Sequence, residues 1–202
     1  ATGLDAFTHA VEAYTSKKAF PLTDTLAVSA VKRILKYLPV VYQNGYDTKA
    51  REEMTIAALE AGICINNSSV TIVHGMSRPV GALFHVPHGL SNAMLLKECI
   101  GFALDGTYER FADLGRASGA ADETDSDQTA AEKFMNQVGE LCSICEVPTL
   151  EEYGIEKETY FAAIDKMASD AIASGSPANT RKKVTKEDCI KIYRNVYGNT
   201  KN

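Results

Sequence analysis

Apolar residues recur along this chain at three- and four-residue spacing and almost never alternate, which leaves little to fold into besides packed helices. Leu4, Phe7, Ala10, Val11 and Tyr14 form one such stripe. Leu26, Val28, Ala30, Val31, Ile34, Leu35 and Leu38 form a broader one, with Lys32, Arg33 and Lys36 as its solvated side. The pattern predicts helices over residues 3–14, 21–44, 48–65, 70–84, 87–104, 107–116, 130–145 and 158–172, and a last one after Thr185. Thr23 reads as the N-cap of the second. Met54, Ala57, Ala58 and Ala61 suit close packing of the third, and Asn66-Asn67-Ser68-Ser69 ends it. Pro79 and Gly81 bend the fourth, and Pro87 occupies the first turn of the fifth. Residues 118–129 are small and acidic and read as a surface loop. Thr185 and Asp188 form a near-capping box for the last helix, which buries Ile190, Ile192, Tyr193 and Val196. The fold class is all-α, a multi-helix, bundle-like domain over residues 1–202. A glycine-rich phosphate loop after a strand is missing, so no residue here is assigned to nucleotide binding.

Composition removes several functions. A net charge of −5 argues against a nucleic-acid binder, which would carry a basic stripe. No apolar run reaches the roughly 20 residues of a membrane span. Five scattered cysteines fit a reducing, cytoplasmic setting better than a disulfide framework. Cys142-Ser-Ile-Cys145 has redox or zinc spacing but no second pair, and reads as two small apolar helix residues. The chain opens at Ala1, already inside a motif, and reads as a fragment of a longer protein.

The chemistry gathers in Val73 to Gly89, VHGMSRPVGALFHVPHG, which holds His74, His85 and His88, three of the four histidines. Histidine is the commonest metal ligand and the usual acid or base near neutral pH. The fourth, His9, follows Asp5 by four residues, so one helix face offers an oxygen and a nitrogen to the same point. Read alone, Asp5 is a first-turn charge and His9 a surface or satisfied core histidine. Read with the distant histidines, the two stretches meet and hold a divalent metal. Arg78 lies one turn after His74. A cation beside a metal needs an anion near it: a substrate carboxylate, a cofactor phosphate or an acidic side chain.

GLDAFTHAVEAYTS, followed by VHGMSRPVGALFHVPHGLSNAMLL, resembles the C-terminal domain of the iron-containing alcohol dehydrogenase family, a dehydroquinate synthase-like helical domain. The similarity runs to PTLEEYGI and VTKEDCIKIYRNVY. The resemblance implies that Asp5, His9, His74 and His88 bind the metal, Fe(II) or alternatively Zn(II). It implies hydride transfer between a small alcohol or aldehyde and NAD or NADP, the nucleotide being held by an N-terminal Rossmann-like domain absent here, in a possible homodimer. Many members have a histidine near the substrate where this sequence has Arg78; Arg78 and His85 are read as pocket-lining catalytic candidates.

Three imidazoles and a carboxylate suit borderline divalent ions, with coordination left over for a substrate oxygen. Two other readings stay open. One is a metal-dependent hydrolase, and the other a helical module whose metal only braces the fold.

Overall fold

The computed structural model describes residues 1–198. Among them are nine α-helices and no strand, only an isolated bridge between Ser16 and Thr180. The helices are α1 (Thr2–Thr15), α2 (Pro21–Gln43), α3 (Thr48–Ser68), α4 (Ile72–Phe84), α5 (His88–Ala103), α6 (Tyr108–Ser118), α7 (Asp127–Ile144), α8 (Lys157–Ala173) and α9 (Lys186–Gly198). Short 3-10 turns fill Leu104–Gly106 and Ser176–Asn179.

Helix α1 is the centre. It packs on α2, α3, α5 and α6, and Phe7 reaches the ring of Phe134 on α7. Its apolar stripe is buried, but so are Thr8, Glu12 and Thr15. A helix buried all round must satisfy its polar side chains from within. Thr8 and Thr15 donate to the carbonyls of Leu4 and Val11, one turn back, at 2.8 and 2.9 Å. At the far end, Arg110 of α6 donates to the Tyr14 carbonyl from both Nε (3.0 Å) and Nη2 (2.6 Å), meeting an orphan acceptor of the helix terminus. The same guanidinium lies 3.7 Å over the Tyr14 ring and pairs with Asp24 of α2. One arginine thus fixes the end of α1 against two neighbours.

Several boundaries differ from the sequence pattern, each for a local reason. Helix α2 is capped at Phe20, and Thr23 is its third residue, with the hydroxyl accepting from the Phe20 N–H at 3.2 Å. Helix α3 runs through Asn66 and Asn67 to Ser68, where the buried hydroxyl donates to Thr23 Oγ1 at 2.6 Å. The break falls one residue later, at Ser69, in a positive-φ conformation (65°). Helix α4 starts at Ile72 and continues through Pro79 and Gly81. Pro87 precedes α5 instead of opening its first turn. Helix α7 begins at Asp127, because Ser126 accepts from the Thr129 N–H at 3.2 Å. Ala57 and Ala61 pack as expected, whereas Ala58 is exposed. Arg33 is half-buried and pairs with Glu53 and Glu60 of α3, leaving Lys32 and Lys36 as the exposed basic residues of that turn.

The capping box of α9 forms: Asp188 Oδ2 accepts from the Thr185 N–H and hydroxyl, and Thr185 Oγ1 from the Asp188 N–H. Tyr193 of α9 donates to the Met76 carbonyl at 2.6 Å and Tyr160 of α8 to the Tyr193 carbonyl at 3.1 Å, which ties the last two helices to α4. Ile192 and Val196 are buried and Ile190 partly so. All five cysteines are free. Burial pushes the Cys142 thiol up to about 12 and raises Cys145, so neither is poised as a thiolate. No single described helix is long and apolar enough to cross a membrane.

Two glycines let backbones close around α4 and α5. A Cβ on Gly89 would lie 2.9 Å from the Ala1 carbonyl oxygen and 3.1 Å from Asp5 Cβ, so glycine there admits the start of α1. A Cβ on Gly75 would lie 2.6 Å from Pro177 Cδ, so glycine there seats the Ser176–Asn179 turn against α4. Gly75→Ala should therefore destabilise the protein by roughly 1–3 kcal/mol, the usual cost of overpacking. Urea denaturation checks this; an unchanged midpoint would mean that the turn lifts away freely.

Candidate metal centre

Helix α1 carries Asp5 and His9 on one face, α4 contributes His74 from its first turn, and α5 presents His88 at its first residue. Each side chain offers one ligand atom, and these four atoms all lie within 4.8 Å of one another. Asp5 Oδ1 is 3.6 Å from His9 Nε2, 3.5 Å from His74 Nε2 and 3.6 Å from His88 Nε2. Four ligands about 2.1 Å from one ion stand about 3.4 Å apart in a tetrahedron. The imidazoles of His9 and His74 stack at 4.6 Å between centroids, and His74 and His88 tilt together at 5.3 Å. Acceptor lone pairs that converge in this way repel one another unless something positive lies between them. The donor set fits a divalent transition ion.

The amide of Asn92, one turn after His88 on α5, closes the cluster. Its Nδ2 lies 2.7 Å from Asp5 Oδ1, 3.0 Å from His74 Nε2 and 3.2 Å from His88 Nε2. Ser77 on α4 donates to Asn92 Oδ1, which aims the amide nitrogen inward.

Behind His74 lies Glu12. Its side chain is only 2% exposed, and its hydrogen bonds are made to the start of α4. Oε1 accepts from Thr71 Oγ1 and from the Val73 N–H, both at 2.7 Å, while Oε2 is 2.5 Å from His74 Nδ1. The Val73 N–H is one of the orphan donors of a helix N-terminus, and a carboxylate there also meets the positive end of the dipole. The carboxylate is thus anchored by two donors and holds a proton on Nδ1. Nε2 is left facing Asp5, His9 and His88, and can bind an ion once it has lost its own proton.

The charges follow from these contacts. Burial would lower His74, but contacts with Asp5 and Glu12 raise it to about 9. Burial would raise Asp5, but His74, the His9 charge and the Asn92 amide bring it down to about 2. Glu12 behaves alike: burial acts to raise it, and His74 and Thr71 outweigh that and lower it. His9 is lowered, first by burial and then by His74, against the pull of Asp5. In the metal-free site His74 is therefore held toward its protonated form between two ionised carboxylates.

The sequence profile of the iron-containing alcohol dehydrogenase family, C-terminal part, matches residues 1–197. The chain belongs to this family. It is 34% identical over 200 residues to the NADPH-dependent butanol dehydrogenase of Clostridium saccharobutylicum, covering 98% of this chain and 50% of that one. It is 33% identical to the NAD-dependent methanol dehydrogenase of Bacillus methanolicus, covering 97% of this chain and 51% of that one. Among solved structures, an alcohol dehydrogenase from Oenococcus oeni superposes with a TM-score of 0.90 at 33% identity, over 96% of this chain and 50% of the other. The chain spans about half the length of the curated relatives it matches.

Arg78 and His85 stand outside the four-residue cluster. Arg78 is exposed and donates to Ser176 Oγ at 3.1 Å. His85 is exposed at the end of α4 in a left-handed conformation (φ 55°), its carbonyl accepting from Tyr153 Oη at 3.4 Å. Conversely, the sequence reading omits Glu12 and Asn92. Both carried a signal: Glu12 follows Asp5 and His9 at seven and three residues on the same helix face, and Asn92 follows His88 at four.

Proposed function

We propose that these residues are the metal and substrate half of an NAD(P)-dependent alcohol dehydrogenase that interconverts small alcohols with aldehydes or ketones. The observation that carries this is the convergence of Asp5, His9, His74 and His88 from three helices on one point. The assigned ligands are those four, and the assigned ion is Fe(II), with Zn(II) as the alternative. When bound, the ion supplies a Lewis acid for the substrate oxygen and the nicotinamide supplies the hydride chemistry.

The chain's own residues do the rest. Asp5 and His9 share one rigid helix, so their spacing does not drift. Glu12 keeps the His74 proton on Nδ1, and Asn92, held by Ser77, offers an N–H at the edge of the cluster. His88, half-exposed at the tip of α5, is the ligand nearest solvent and marks the side from which a substrate enters. The nucleotide is assigned to a part of the enzyme outside these residues, which span about half the length of the relatives. A soluble, cytoplasmic enzyme fits the free cysteines and the acidic charge.

The test is anaerobic metal analysis of the full-length protein, stripped with a chelator and reloaded separately with Fe(II), Zn(II) and Co(II). Reduction of NAD or NADP by a small alcohol should vanish on stripping and return best with Fe(II). Hydrolytic activity in place of nicotinamide reduction would favour a metallohydrolase. A stripped protein that unfolds and has no activity in any loaded form would favour a structural brace.

A further inference from the structure

Among the described residues, nothing acidic meets the charge of Arg78. Arg33, Arg110 and Arg116 each pair with a carboxylate, whereas the Arg78 guanidinium has only the Ser176 hydroxyl, at 3.1 Å. No carboxylate among the described residues lies within ion-pair distance of it, which removes an internal ion pair as its purpose there.

Its position is set by α4. Arg78 follows His74 by four residues, about 6 Å along the axis on the same side. Helical side chains lean toward the N-terminus, so the guanidinium is carried back toward the turn of His74. The hydrogen bond confirms that direction, since Ser176 adjoins Pro177, which rests on Gly75, the residue after His74. Arg78 also lines a cavity of about 700 Å³ with an apolar wall of Leu59, Ile63, Ile65 and Val70.

We propose that the substrate is a short oxo or hydroxy acid whose anionic group docks on Arg78, one helical turn from His74, with its reacting end toward the cluster. This rests on the dehydrogenase reading above. The guanidinium fork pairs two parallel N–H donors with a carboxylate, a geometry that a neutral aldehyde cannot use. A phosphate of the cofactor offers the same oxygen chemistry, and the test separates the two.

The full-length, metal-loaded enzyme is assayed with 4-oxobutanoate and with butanal, which differ only in the terminal carboxylate. The wild type should prefer the oxo acid in kcat/KM by about ten- to a hundredfold, the range of a hydrogen bond to a charged group. Arg78→Ala should erase that ratio, chiefly through KM for the oxo acid, and Arg78→Lys should restore part of it. Equal losses on both substrates, or a wild type without the preference, would overturn the proposal and leave the dehydrogenase reading standing. Weaker NADH binding in Arg78→Ala with an unchanged ratio would assign the guanidinium to the cofactor and also overturn it. If neither aldehyde reacts with any metal, the dehydrogenase reading fails, and succinate binding by calorimetry then decides. Binding by the wild type that is lost in Arg78→Ala retains Arg78 as the anion site. No binding by either protein ends it.

Discussion

Replacing Glu12 with Gln should cost about a hundredfold in affinity for a divalent ion, the upper end of what a residue supporting a metal-binding histidine contributes. The change keeps the shape of the side chain and, through its carbonyl oxygen, the bonds from Thr71 Oγ1 and the Val73 N–H. What it alters is the atom against His74 Nδ1. A carboxylate oxygen there accepts a proton; an amide NH2 can only donate one. Nδ1 must then be the bare nitrogen, and the proton moves to Nε2, the atom that faces Asp5, His9 and His88. A protonated Nε2 is no ligand. Glu12→Gln should therefore bind metal no better than Glu12→Ala, although it is the more conservative change. Titration with Zn(II) against a chromophoric chelator measures the loss, and nitrogen-15 shifts of the imidazole report the tautomer. Circular dichroism shows whether the helices persist. Wild-type affinity together with a tautomer shift would mean that His74 is not a ligand at all.

The contrast between Glu12 and the four clustered residues shows what a sequence displays. Asp5 and His9 announce themselves because helical spacing alone places them on one face. His74 and His88 stand out because histidines are few and these sit where glycines and prolines break the chain. The periodicity of α1 likewise makes its apolar stripe legible, but not its central position. Whether Thr8 or Glu12 faces water or the core depends on acceptors and donors, some of them some sixty residues away. The same is true of the end of α3. Two asparagines and two serines read as a break, yet a buried bond from Ser68 to Thr23 holds the last turn. Arg78 is the converse case. Its spacing from His74 is plain in the sequence, but only the structure shows that no acid among the described residues answers it and that Ser176 holds it.

Metal affinity should also rise about tenfold per pH unit between pH 7 and 9, beyond the point where an ordinary histidine has finished titrating. The cause is the position of His74 between Asp5 and Glu12, which raises it to about 9 in the metal-free protein. Below that value the ion must displace a proton to reach Nε2. Asp5, brought down to about 2, and His9, which is lowered, demand no further proton in this window. Stability without metal runs the other way. A histidine raised from 6.5 in the unfolded chain to about 9 in the folded one contributes stability that is complete below 6.5 and lost as pH climbs through 9. A shift of that size corresponds to roughly 3 kcal/mol, an interaction that the two carboxylates share. The metal-free melting temperature should thus fall across this window while the increment from added Zn(II) grows. Melting curves at pH 6.5, 8 and 9, with and without Zn(II), read both trends at once. Glu12→Gln removes one of the two carboxylates that hold the proton, so its metal-free profile should break nearer 6.5. A wild-type increment that levels off above pH 7 would mean that His74 enters the site already neutral, and that the carboxylate behind it serves the start of α4 and not the metal.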